Sequence, residues 1–178
     1  MISRRFVPVL LLALAYWPAQ ALGQEPSLEP FFGTWKGVGL TEKFNVAGYF
    51  TYTKRDLDVD ISKTDRGFDI TWTTGLRADE TIGVVTHRKT TTLSFAKTGP
   101  ALFEADEAPP WSRSHRWARL ADSSLIIYIF EIHANGIYEL SRYVRTITEP
   151  GQMDLGFTRN LDGRPVRQVT GQLTQTGD

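Results

Sequence analysis

The chain has 178 residues, with 20 Lys and Arg balanced by 20 Asp and Glu, and it contains no cysteine. Balanced charge gives no argument for nucleic acid or an anionic membrane as a partner. Without cysteine there is no disulfide, thiolate metal site, cysteine nucleophile or lipidated cysteine, so the fold rests on its core alone.

Residues 1–23 read as a signal peptide. Arg4 and Arg5 form a basic start, 7–16 is apolar, and Ala19, Ala21 and Gly23 supply small residues for cleavage. The apolar run falls well short of the ~20 residues that span a bilayer, so no stable membrane insertion is expected. Removing the leader leaves 18 basic residues (20 less Arg4 and Arg5) against 20 acidic ones. The expectation is a secreted or periplasmic protein in which 24–178 forms one domain. A chain of that size buries roughly two thirds of its surface.

Short alternating segments then follow one another between turn residues. A single helical turn is expected around 28–32, before a first strand at 34–41. Leu57, Val59 and Ile61 alternate with Asp56, Asp58 and Asp60, which predicts a strand with one apolar and one wet face. Asp65-Arg66-Gly67 turns the chain into Phe68, Ile70 and Trp72, so the two runs read as a hairpin. A threonine-rich strand runs over 84–95, and Thr98-Gly99-Pro100 breaks it before a short strand at 102–105. Strands at 115–120 and 125–132 meet at Ala121-Asp122-Ser123. Ala134-Asn135-Gly136 leads into 137–147, Glu149-Pro150-Gly151 into 153–157, and Asn160-Leu161-Asp162-Gly163 into 166–173. The rhythm predicts an all-β fold of about 8–10 strands. Consecutive hairpins favour an antiparallel up-and-down meander, and closing it into a barrel removes two exposed edges.

Gly33-Thr34-Trp35, near the start of a small all-β chain, resembles the Gly-x-Trp signature of calycins, the group of lipocalins, fatty-acid-binding proteins and avidins. The longer run through Lys36-Gly37-Val38-Gly39 is similar to the opening of nitrobindins. The explicit match covers under ten residues. The resemblance implies a lipocalin-like closed barrel in which Gly33 and Trp35 are structural and Trp35 plugs the closed end. It also implies a basic side chain from the last strand crossing that indole, and Arg167 is the basic residue well inside that strand. Its place near the strand's beginning departs from the pattern, because the first strand's beginning should meet the last strand's end. Haem ligation of the nitrobindin kind needs a histidine in the C-terminal part, and none follows His133. No cofactor is therefore expected.

Catalytic and metal-binding patterns are lacking. His87, His115 and His133 lie on separate segments, no serine sits in a Gly-x-Ser-x-Gly elbow, and neither an enzyme nor a metal site is expected. A cavity is the remaining source of function. The 125–132 strand is apolar on both faces, so something must cover its outside: the N-terminal turn or a partner subunit in a homo-oligomer. Its neighbour carries Tyr138, Leu140, Arg142 and Val144 on one face, and Arg142 is a candidate counter-ion for a buried carboxylate. Alternation nominates Trp72, Trp117, Tyr128, Phe130, Tyr138 and Arg142 as the ligand-binding set. The expected function is a carrier in the cell envelope for a small apolar or amphipathic ligand. The alternative is a barrel filled by its own aromatics, acting as a structural or protein-interaction module.

Overall fold

A computed structural model describes residues 26–44, 50–77, 85–105 and 113–177. The segment read as a signal peptide, with its expected cleavage site, lies outside the described residues. One 3-10 turn, Glu29–Phe31, precedes ten strands. These are β1 Gly33–Phe44, β2 Phe50–Lys63, β3 Gly67–Arg77, β4 Val85–Lys97, β5 Leu102–Ala105, β6 Ser114–Ala121, β7 Ser124–Ile132, β8 Tyr138–Glu149, β9 Gln152–Leu161 and β10 Arg164–Thr176. Each strand pairs antiparallel with its neighbour in the chain, and β1 also pairs with β10, so the sheet closes into an up-and-down barrel. The expected fold class holds, and the strands at 57–61 and 153–157 extend well beyond the alternating residues that announced them.

The turns follow from local chemistry. Asp162 and Gly163 both take positive φ between β9 and β10, which suits a two-residue hairpin turn. At Asp122-Ser123 the ladder closes with Leu120 opposite Leu125, which fixes the phase of β7 against β6.

The interior is apolar at one end. Leu57, Val59 and Ile61 point inward, as do Phe68, Ile70 and Trp72, all 6% exposed or less. The Asp-rich side of β2 faces out, and Thr71–Thr92 and Thr73–Thr90 hydroxyl pairs join β3 to β4 outside. On β2 and β3, charged and hydroxyl side chains outside with apolar ones inside are the reverse of strands set in lipid. No helix among the described residues is long and apolar enough to cross a membrane.

Trp35 closes this end. It is fully buried, and its Nε1 donates to the Phe31 carbonyl at 2.9 Å, so the 3-10 turn is held beneath the barrel. Phe68 stacks on Phe95 at 5.0 Å and meets Phe103 edge-on at 5.3 Å. Gly33 opens β1 at φ +118°, a backbone that side chains rarely adopt. Further along, Gly39 and Gly171 face inward, and Leu57 Cδ1 occupies the space that a Cβ on either would need. The β1–β10 seam therefore presents bare backbone to the core.

Candidate ligand-binding site

Away from Trp35 the interior opens into a cavity of about 120 Å³. Its apolar walls come from Leu57 and Val59 on β2, Trp72 on β3, Leu155 and Phe157 on β9 and Val169 on β10. Four basic side chains join them: Arg55, Lys89, Arg145 and Arg167. The one acid in the lining, Asp58, pairs with Lys36 and Thr73 in register, which places it on the outer side of the alternation.

Arg145 defines the site. On β8 the inward positions are Glu139, Ser141, Tyr143, Arg145 and Ile147, because Arg145 lies opposite the buried Leu125 and Leu155. The side chain is 1% exposed, and its Nε and Nη1 have no hydrogen-bond partner. Its guanidinium lies 5.5 Å from the ring centroids of both Trp72 and Tyr143. Those rings meet at 5.0 Å, and Phe157 continues the cluster 4.6 Å from Tyr143. Burial pushes the Arg145 pKa down to about 10, which still leaves it cationic at neutral pH. Burial also raises the Tyr143 phenol, against the pull of Arg145, so it remains neutral there. Each desolvated cation–π contact contributes about 2 kcal/mol, while removing an ion from water costs several kcal/mol.

Nearer the open end, Arg55 is anchored by its Nε, which donates to the buried Thr41 hydroxyl at 2.7 Å. Its pKa is lowered by burial and then by the charge of Arg167. The inward acid on β8 is engaged elsewhere. Glu139 accepts Arg159 Nε at 2.7 Å and Nη2 at 2.6 Å, and lies 3.3 Å from His133 Nε2 and from the Ser141 hydroxyl. Burial would raise its carboxyl, but the Arg159 hydrogen bond and charge hold it below the usual range. Among the described residues, no three His, Asp or Glu side chains are grouped to hold a metal ion. The cavity instead offers cations and aromatic faces, which suit an anionic, partly apolar molecule.

Of the six nominated residues, Trp72 lines this cavity. The other five lie together on the outside of the barrel. Trp117 stacks between His115 at 5.2 Å and Tyr128 at 4.9 Å, and Phe130 packs 6.0 Å from Tyr138. Arg142 pairs with Tyr128 in register and hydrogen bonds its hydroxyl, as Arg119 does. Together they hold that phenol below its usual pKa despite partial burial. The neighbour relations expected on β7 and β8 are present, but the face is inverted, because Leu125, Ile127 and Tyr143 take the inside. The outer side of β8 reads as the more apolar one, so hydrophobicity alone favours the wrong face. The Asp122-Ser123 turn could have corrected it, since it carries the inward phase of Leu120 to Leu125 and then to Arg145.

Arg167 does not cross Trp35. In the β1–β10 ladder Trp35 sits opposite Gln175 and Arg167 opposite Lys43, eight residues or about 27 Å of strand away. Gln175 closes the Trp35 end by donating from Nε2 to the Phe32 carbonyl at 3.0 Å. Arg167 belongs to the cavity instead.

No family model and no curated protein matches the sequence. Among solved structures, a protein of unknown function from the DUF3598 family of Nostoc punctiforme matches over 89% of this chain and 53% of its own, with TM-score 0.56 and 12% identity. This chain thus spans about half the length of that relative, and the likeness is one of fold. An S-type phycobiliprotein lyase from Guillardia theta matches at TM-score 0.44 and 10% identity, over 85% of this chain and 91% of its own. A redesigned β-barrel bound to DFHBI matches at TM-score 0.41 and 13% identity, over 83% of this chain and 96% of its own. The fold is a ten-stranded closed antiparallel up-and-down barrel, and the likeness to the DUF3598 structure is one of fold.

Proposed function

We propose that this protein is an exported, non-enzymatic carrier whose barrel binds a small amphipathic ligand by its anionic end. The observation that carries the reading is Arg145: a fully buried guanidinium on a cavity wall, with two donors unpaired. An unpaired buried cation is costly, and a carboxylate or phosphate offers acceptors matched to its fork geometry. Trp72, Tyr143 and Phe157 then offer ring faces to the ligand's apolar part. At about 120 Å³ the cavity is smaller than the ~300–1,000 Å³ typical of drug-sized ligands, which favours an occupant of single-ring size. Export rests on the leader pattern at residues 1–23.

Benzoate and its neutral isostere benzamide test the reading, titrated against intrinsic tryptophan fluorescence. Benzoate should bind at least tenfold more tightly, and Arg145→Met should abolish the difference. Equal affinity in wild type would remove Arg145 from the site.

A second reading, an interaction module of the envelope, draws on the outer His115–Trp117–Tyr128 stack. Aromatics with arginine are typical of protein interface centres. Failure of every small anion to bind would put that reading ahead.

A further inference from the structure

The positive charge of the cavity is not gathered at one point. Arg145 stands in the row of Leu155 and Gly171, while Arg167 stands in the row of Arg159. On β9 these rows are four residues apart, about 13 Å between Cα positions at the rise of a strand. Tyr143, paired with Phe157 between the two rows, feels the charge of both arginines. Arg55 starts from the row of Gly39 and Gly171, but its side chain turns to Thr41 and feels the charge of Arg167.

Guanidinium groups inside one barrel repel, and among the described residues the inward acids of β7 and β8, Glu131 and Glu139, both act on Arg159. The inward acid Glu139 is engaged bidentately by Arg159, and Asp58 belongs to the outer face. The cavity thus has a positive pole at each end and an aromatic middle.

We infer that the ligand is a dianion with an apolar centre, one anionic group on Arg145 and the other between Arg55 and Arg167. An aromatic dicarboxylate has this form, with its ring against Trp72, Tyr143 and Phe157. The assignment rests on the ligand-binding reading above and adds the second charge to it.

Terephthalate and 4-carbamoylbenzoate separate the two. They share shape and one carboxylate, and they differ in the second charge. Calorimetric titration should show terephthalate binding at least tenfold more tightly. Arg167→Gln should bring that ratio close to one, whereas Arg167→Lys, which keeps the charge, should retain most of it. Thermal melts of both variants verify that the barrel is intact. Equal affinity of the two ligands for wild type overturns the second anionic group and leaves the carrier reading standing. Binding of neither overturns both.

Discussion

Trp35 and Arg145 head the largest fully buried side chains of this barrel, and their surroundings differ in kind. Trp35 has its single polar side-chain atom paired with the Phe31 carbonyl and belongs to the buried hydrophobic core. Arg145 keeps two donors unpaired and leans on two aromatic rings. The first arrangement is what a core does for stability. The second costs stability, which the proposed anion would restore. In the proposed reading this contrast is one of stability against function, with the ligand at Arg145 and the foundation at Trp35.

The largest effect should come from breaking the foundation. Trp35→Ala should cost about 3–5 kcal/mol in a urea melt, the range for large aromatic truncations in cores. A loss below about 1 kcal/mol would mean that the closed end does not depend on the indole.

Arg145→Met should act in the opposite direction. Replacing a buried charge by an apolar chain of similar length should stabilise the empty protein by about 1–4 kcal/mol. The effect should depend on pH with a definite sign. Because burial lowers the folded pKa to about 10, below its value in the unfolded chain, the folded state gives up its proton first as pH rises. The penalty is fully present below about pH 10 and fades as pH rises above it. The gap between wild type and Arg145→Met should therefore be wide at pH 8 and narrower at pH 11. A gap that widens would show that the cation is stabilised in the empty barrel.

The smallest effect sharpens the contrast between inside and outside. Arg142 lies three residues before Arg145, on the outer face beside Tyr128. Arg142→Leu should change stability by about 0.5 kcal/mol or less and leave benzoate affinity unaltered. A marked loss of benzoate binding would return Arg142 to the site.

These two arginines also mark how far the sequence could be read. The Asp and Leu alternation of β2, the Phe68–Trp72 run and the turn residues announced about 8–10 strands and a closed barrel, because each strand there has one plainly wet side. On β7 and β8 both sides carry large apolar groups, so the pattern no longer tells inside from outside. Tyr128, Phe130 and Tyr138 look like core and lie outside, while Glu139, Ser141 and Arg145 look like surface and lie within. What decides is the phase carried round the barrel through tight turns, together with the ring cluster that shelters Arg145. Trp72 was legible because its strand pairs with the unambiguous β2. Arg167 was misplaced because a family resemblance assigned it a partner that the β1–β10 register puts far away.

The bare seam between β1 and β10 has a consequence for the chain as a polymer. The Thr176 hydroxyl reaches the Thr34 carbonyl across 142 positions of sequence, so closing the barrel closes nearly the whole described chain into one loop. Loop entropy opposes that closure more than any hairpin, and glycines leave no side chains to crowd the meeting strands. Both termini are committed to the same joint. Losing either terminal strand would not yield a smaller barrel but a nine-stranded sheet with two long edges, open to pairing with other chains.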